Sequence, residues 1–339
     1  MPSVRETLRQ CGTAALLLTL PGCVFITGNL NPFGVAPQPL EEHVVSGEGK
    51  AKVLVIDISK TISNEEAEAP FGITHRESTT ARVHEELDQA GKDDRVCAVV
   101  LRINSPGGTV TASDVIYQDI MAFKAQHHVP VLAQLLDMGT SGAYYVALAA
   151  DDIVASPTTV TGSVGVVMYN VNFSGLMDKL GIKNQTLKAG AHKDIGSPLR
   201  PMTPEDERIL QDVLDDMHER FMSVVRERRP TLTAEAAHTI LDGRILTAPQ
   251  ALAAGLVDRI GYLQDTIDAA KQRAGVAEAR VVLYRRPQEF AENIYSRAAL
   301  GAPQVNLVNL DVSGLPQSPQ FLYMWLPRLE SLGGLPASR

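Results

Sequence analysis

The sequence predicts an α/β fold in which parallel strands are joined by crossover helices. Two patterns carry that expectation. Short runs rich in β-branched and other apolar residues alternate along the chain with longer segments whose apolar residues return at helical spacing. The order strand, helix, strand is the one that builds a parallel sheet. At 339 residues, 45% apolar and 21% charged, the chain can bury a substantial core, as one large domain or two small ones.

Residues 1–23 read as a targeting segment. Arg5 and Arg9 precede the apolar run Ala14–Leu20, and small residues follow it, the order of a secretory signal. The run is too short for a transmembrane helix of ~20 residues. Leu20-Pro21-Gly22-Cys23 resembles a bacterial lipobox. That implies lipid on Cys23 and a domain held at a bilayer surface without spanning it. A plain or uncleaved signal, or a short buried helix, is the alternative. The lipobox reading implies export and membrane association in a bacterial cell envelope.

Residues 24–49 are rich in Gly, Pro, Asn and Glu and read as a tether. The folded domain is expected over residues 50–275. Its strands fall at Val53–Ile58, Val96–Ile103, Val129–Leu136 and Asp152–Ser156. Helical spacing covers Thr79–Ala90, Thr111–Gln126 and Gly142–Ala150, with Thr111 or Ser113 as N-cap of the second. Residues 203–229 form an amphipathic helix. A shorter helical region, 233–275, is punctuated at Gly243, Gly255 and Gly261. Residues 276–339 are expected to be a C-terminal extension. Beyond about residue 285 it is broken by Pro and Gly, an irregular tail and a candidate to dock on a neighbour.

The net charge of −8 argues against nucleic acid as a partner. The three cysteines, Cys11, Cys23 and Cys97, exclude a full disulfide framework. Cys97 opens an apolar run and reads as a buried strand thiol. His127 and His128 read as surface or loop residues. The spacings of metalloprotease and structural zinc sites do not occur, so no metal or cofactor is expected.

Three segments carry candidate chemistry. In Asn104-Ser105-Pro106-Gly107-Gly108-Thr109, paired glycines at a strand end leave backbone N–H groups open to a ligand, as an oxyanion hole requires. The bland reading is a tight turn. In Asp137-Met138-Gly139-Thr140-Ser141-Gly142-Ala143, Ser141 stands between a strand and an apolar helix, where the next N–H can join such a hole. Ala143 stands where the nucleophile elbow of the α/β-hydrolases has glycine. A plain N-cap is the bland role for Ser141. The third segment runs from Lys188 to Pro198 and holds His192 and Lys193. A serine hydroxyl needs a base, and lysine serves only when burial or nearby positive charge lowers its pKa from ~10.4. A Ser–His–Asp set drawn from Ser141, His192 and Asp137 is the alternative.

Together these segments, with the stretch Pro157–Val166 between them, resemble the signal peptide peptidase A (protease IV) family over about residues 50–270. The resemblance implies a ClpP/crotonase-like fold of repeated ββα units and the short, single-domain form of the family. It implies Ser141 as nucleophile and Lys193 as base. Gly108 and Gly142 would form the oxyanion hole, with Gly107 supporting it and Ser163 bonding the lysine amine. The implied substrates are cleaved signal peptides or other short apolar peptides at a membrane surface, handled by a homo-oligomer that completes the site. Two rivals remain: an exported scaffold with a dead site, and a crotonase-type acyl-CoA enzyme.

Overall fold

The apolar runs form the middle of a mixed sheet. The structure, a computed structural model, describes residues 38–65, 67–68, 75–232, 242–287, 289, 291–296 and 321–325. The targeting segment, Cys11 and Cys23 lie outside the described residues. From Leu40 onward the chain is one compact unit.

The strands are β1 (Glu41–Ser46), β2 (Lys52–Ser59), the short pair β3 (Ala67–Glu68) and β4 (His75–Arg76), β5 (Val96–Ser105) and β6 (Gly107–Thr109). There follow β7 (Val131–Thr140), β8 (Asp152–Ala155), β9 (Val160–Gly162), β10 (Val167–Met168), β11 (Ile245–Thr247) and β12 (Arg259–Ile260). The last two are β13 (Arg280–Arg285) and β14 (Phe321–Met324). The helices are α1 (Thr79–Gly91), α2 (Val110–His127), α3 (Gly142–Ala147) and α4 (Ser174–Lys179). Then come α5 (Pro204–Arg228), α6 (Ala248–Ala253) and α7 (Leu263–Arg273).

The main sheet runs β1-β13-β2-β5-β7-β8-β12, with β9 beside the end of β7 and β11 beside β9. From β13 to β12 every neighbouring pair is parallel. Period-two alternation divides the side chains between two cores. Leu54, Ile56, Leu101, Ile103, Ala133 and Leu135 face the larger one, under α1, α2, α3 and α5. Val53, Val55, Val100 and Leu132 face the smaller one with Ile267 and Ala270 of α7. Covering on both faces explains why these strands are apolar throughout.

Three expectations are corrected in detail. Residues 41–46, read as part of the tether, form β1, which pairs antiparallel with β13. Its residues are mostly exposed, so it carries no long apolar run to mark it as a strand. Residues 276–339, read as an extension, supply β13 to the main sheet, between β1 and β2, and β14 to a second sheet, β10-β14-β6. The expected N-cap of α2 moves to Thr109, whose side chain accepts from Ala112 N–H. Cys97 is half-buried on β5, and its thiol donates to the Lys52 carbonyl (3.3 Å).

Candidate active site

Parallel strands bring their carboxyl ends to one edge of the sheet, the edge at which open α/β folds hold ligands. Here β5 and β7 end together. Ser105 pairs with Gly139 just past a register shift, so both strands leave the regular ladder immediately before Gly107 and Ser141. The glycine-rich and serine segments, far apart in sequence, therefore become neighbours.

Ser141 holds the N-cap position of α3, yet its hydroxyl makes no capping hydrogen bond. Its backbone lies at φ 53°, ψ −120°, a conformation that costs a non-glycine residue about 1–3 kcal/mol. Two hydrogen bonds impose it. Ser141 N–H donates to the Gly162 carbonyl (2.8 Å), and Tyr145 N–H donates to the Ser141 carbonyl (2.9 Å). The residue is only 1% exposed. The first of these bonds also puts the loop of Ser163 beside Ser141. Ser163 has φ 54°, and its N–H donates to the Arg244 carbonyl (2.7 Å).

Glycine is required at 107 and 108 for different reasons. Gly107 adopts φ 102°, open to glycine but hostile to other residues. A Cβ there would strike the Tyr323 carbonyl oxygen and stand 2.8 Å from the Gly142 nitrogen. A Cβ on Gly108 would strike the Ile62 carbonyl. Ile62 occupies one edge of β6, donating to Gly107 O (2.9 Å) and accepting from Thr109 N–H (3.0 Å). The Gly108 N–H therefore points to the other edge. A Cβ on Gly142 would strike Ser113 Oγ and lie 3.2 Å from the Gly108 nitrogen. Gly107, Gly108, Gly142 and Ser141 thus share one small volume, with backbone nitrogens unshielded by side chains, an arrangement able to hold a developing oxyanion.

Lys193 stands apart. It sits in the turns between Gly190 and Gly196 and is exposed. Among the described residues its ammonium makes no hydrogen bond or ion pair. Its neighbours are anchored to the start of α5. Asp194 accepts from Lys188 (2.7 Å) and Arg200 (2.9 Å), and Arg200 reaches Asp206 (2.6 Å). These cations hold the Asp194 and Asp206 carboxyls far below the ordinary carboxylate range. His192 Nδ1 lies 3.5 Å from Asp206, and Asp137 accepts from Asn104 (2.9 Å). These contacts lend the Ser–His–Asp alternative no support.

Residues 123–277 match the profile of peptidase family S49. The protein named "Putative signal peptide peptidase SppA" in Enterococcus faecium is 30% identical over 77% of this chain and 74% of that protein. The chain belongs to peptidase family S49. As a member of S49 it is a serine peptidase, and its parallel sheet with strand-strand-helix steps such as β5-β6-α2 is the ClpP/crotonase-like fold. Protease 4 of Salmonella typhi is 32% identical over 59% of this chain and 32% of its own length. A ClpP1 mutant from Listeria monocytogenes is 18% identical, with a TM-score of 0.41, covering 63% of this chain and 94% of its own. S49 membership sets aside the acyl-CoA reading.

An aromatic cluster near Ser141 escaped the sequence reading. Tyr145, one helical turn on, donates to Asp114 (2.5 Å). Its ring meets Phe221 of α5 at 5.0 Å and Tyr323 of β14 at 5.4 Å. The spacing from Ser141 to Tyr145 is a helical i, i+4 step, a signal that was available for Tyr145. No local signal marks Phe221 or Tyr323 as its neighbours.

Proposed function

We propose that this S49 peptidase cleaves apolar peptides, including signal peptides released at a membrane surface, by a Ser141–Lys193 dyad. Ser141 attacks the peptide carbonyl as neutral Lys193 takes its proton. The N–H groups of Gly108 and Gly142 hold the tetrahedral oxyanion. The lysine ammonium then protonates the leaving amine, and water releases the acyl group by the same route. Ser163, beside Ser141, bonds the lysine amine. The observation that carries this reading is the strained, buried Ser141, set next to unshielded glycine nitrogens and not used as a cap.

Lys193 comes, in this reading, from a second copy of the chain. Large apolar residues stand exposed on its own segment, among them Val171, Leu176, Leu180, Ile182 and Leu187, the last 98% exposed. Exposed apolar surface of that extent marks an interaction site. A docked copy would bury Lys193, and burial is what turns a lysine into a base. The membrane association rests on the targeting segment. Among the described residues no helix is long and apolar enough to cross a bilayer.

The test is hydrolysis of a fluorogenic signal-peptide-like substrate. Ser141→Ala and Lys193→Ala should each lower kcat at least about a thousandfold in a folded protein. Mixing the two inactive variants should restore activity, because one copy then offers serine and the other lysine. Full activity of either variant refutes the dyad. Inactive mixtures with an active parent refute the shared site and leave a dyad within one chain.

A further inference from the structure

The helix that carries the nucleophile is too short to hold itself. α3 has six residues, fewer than an isolated helix needs in water, and its N-cap serine supplies no capping bond. Its position is therefore set by what it touches. Two of its side chains are polar, Tyr144 and Tyr145. Both are fully buried, and each sends its hydroxyl to an acceptor outside the helix. Tyr144 donates to the Leu256 carbonyl (2.7 Å). Tyr145 donates to Oδ1 of Asp114 on α2 (2.5 Å). Tyr145 is also the residue whose N–H closes the turn on the Ser141 carbonyl (2.9 Å). Its tether acts directly on the turn that presents Ser141 and the Gly142 N–H.

Asp114 belongs to a turn of α2 that already bears on the site. Its neighbour Ser113 is buried and donates to the Thr109 carbonyl (3.0 Å), and a Cβ on Gly142 would strike the Ser113 oxygen. Thr109 caps α2 and directly follows Gly108. One turn of α2 thus bears on both oxyanion glycines and, through Asp114, on α3. The same Asp114 oxygen accepts from Arg220 Nη2 of α5 (3.1 Å). Bonds to an ionised acceptor are about twice as strong as neutral ones, and Arg220 keeps the carboxylate aimed. Burial, and after it the bond to Asp114, push the Tyr145 phenol far above its ordinary range, so it stays protonated and donating. Its ring packs against Tyr117 of α2 (5.3 Å) and Phe221 of α5 (5.0 Å), on the two helices that supply Asp114 and Arg220.

We propose that Asp114 is a positioning residue for peptide hydrolysis: it clamps the Tyr145 hydroxyl, and Arg220 clamps it in turn, so that Ser141 and the Gly142 N–H keep the alignment that attack on a peptide carbonyl requires. This rests on the reading of Ser141 as the nucleophile of a peptidase, and it holds whichever group is the base. Without Asp114 a buried hydroxyl loses its acceptor, and α3 shifts to find another. A misplacement of about 1 Å costs about a hundredfold in rate. Because Asp114 acts through Tyr145, the loss falls on kcat and kcat/KM alike, with KM kept.

Two measurements on the full chain test this. One is kcat and KM with a fluorogenic apolar peptide. The other is the rate at which an alkyl fluorophosphonate labels Ser141, followed by intact mass. The parent is compared with Asp114→Ala, Asp114→Asn, Tyr145→Phe and the variant carrying both Asp114→Ala and Tyr145→Phe. Asp114→Ala and Tyr145→Phe should each lower kcat and the labelling rate about tenfold to a hundredfold, with KM within about twofold of the parent. The double variant should lose no more than the slower single one, because both changes remove the same bond. Asp114→Asn keeps an acceptor and should recover part of the rate. Full kcat in either single variant, losses that multiply in the double variant, or a loss confined to KM overturns the proposal. Tyr145→Phe keeps the ring and its packing, so it decides the matter if Asp114→Ala is unstable. A parent labelled at Ser141, with variants labelled equally fast, removes this proposal alone. A parent that resists labelling at Ser141 removes the peptidase reading and the proposal with it.

Discussion

Ser141 shows a catalytic residue held in place at a structural cost. Glycine would suit φ 53° far better than serine, yet only a side chain can attack. Ser141→Gly should therefore raise stability by about 1 kcal/mol and abolish hydrolysis, with Ser141→Ala equally inactive but no more stable. Urea unfolding of the three proteins checks this, and a destabilised glycine variant would contradict the strain. Serine as nucleophile was legible because a Gly-flanked serine followed a strand and preceded an apolar helix. Its strain was not legible. The bond to Gly162, which imposes it, joins strands that pair only in the folded sheet.

At the scale of elements, α5 carries much of the site's surroundings. It begins with a capping box, in which Thr203 Oγ1 accepts from Asp206 N–H (3.1 Å) and Asp206 accepts from Thr203 N–H (3.0 Å). Pro204 stands in the first turn, where its missing N–H costs nothing. The same Asp206 holds Arg200 and so anchors the segment of Lys193. Thr203→Ala should cost about 1 kcal/mol, seen as a lower Tm, and should depress activity through Lys193 as well. A lower Tm with full activity would separate the two roles. Periodicity alone located α5 to within a residue or so at each end. It could not tell that Phe221 and Met217 meet Tyr323, on a strand from the far end of the chain.

At the scale of the whole molecule, stability carries a pH signature. Glu86 on α1 is fully buried, and its oxygens have no hydrogen-bond partner among the described residues. Arg285 of β13 lies 3.7 Å away. Burial pushes its carboxyl from 4.5 up to about 7, against the pull of Arg82 and Arg285 and with Asp57 and Glu289 adding to the rise. A pKa raised by folding contributes stability that is fully present below the unfolded value and lost as pH rises through the folded one. Stability from Glu86 should thus decline between about pH 4.5 and 7. Glu86→Gln should flatten that slope and be the more stable protein at pH 8, as followed by chemical denaturation at stepped pH. An unchanged slope would place the penalty elsewhere.

The sequence by itself determined the α/β class, the strands β2, β5, β7 and β8, the helices α1, α2 and α5, and the glycine and serine segments of the site. These features are local: periodicity, β-branched runs and turn residues act over a few positions of the chain. Only the tertiary structure decided that residues 41–46 and 280–285 belong to the main sheet. It alone brought Gly108 and Gly142 together, left Lys193 exposed on the single chain, and packed Tyr323 against Tyr145 and Phe221. Each depends on which distant segments pair or pack, and edge strands, exposed loops and short tail strands leave no periodic pattern from which that pairing can be read.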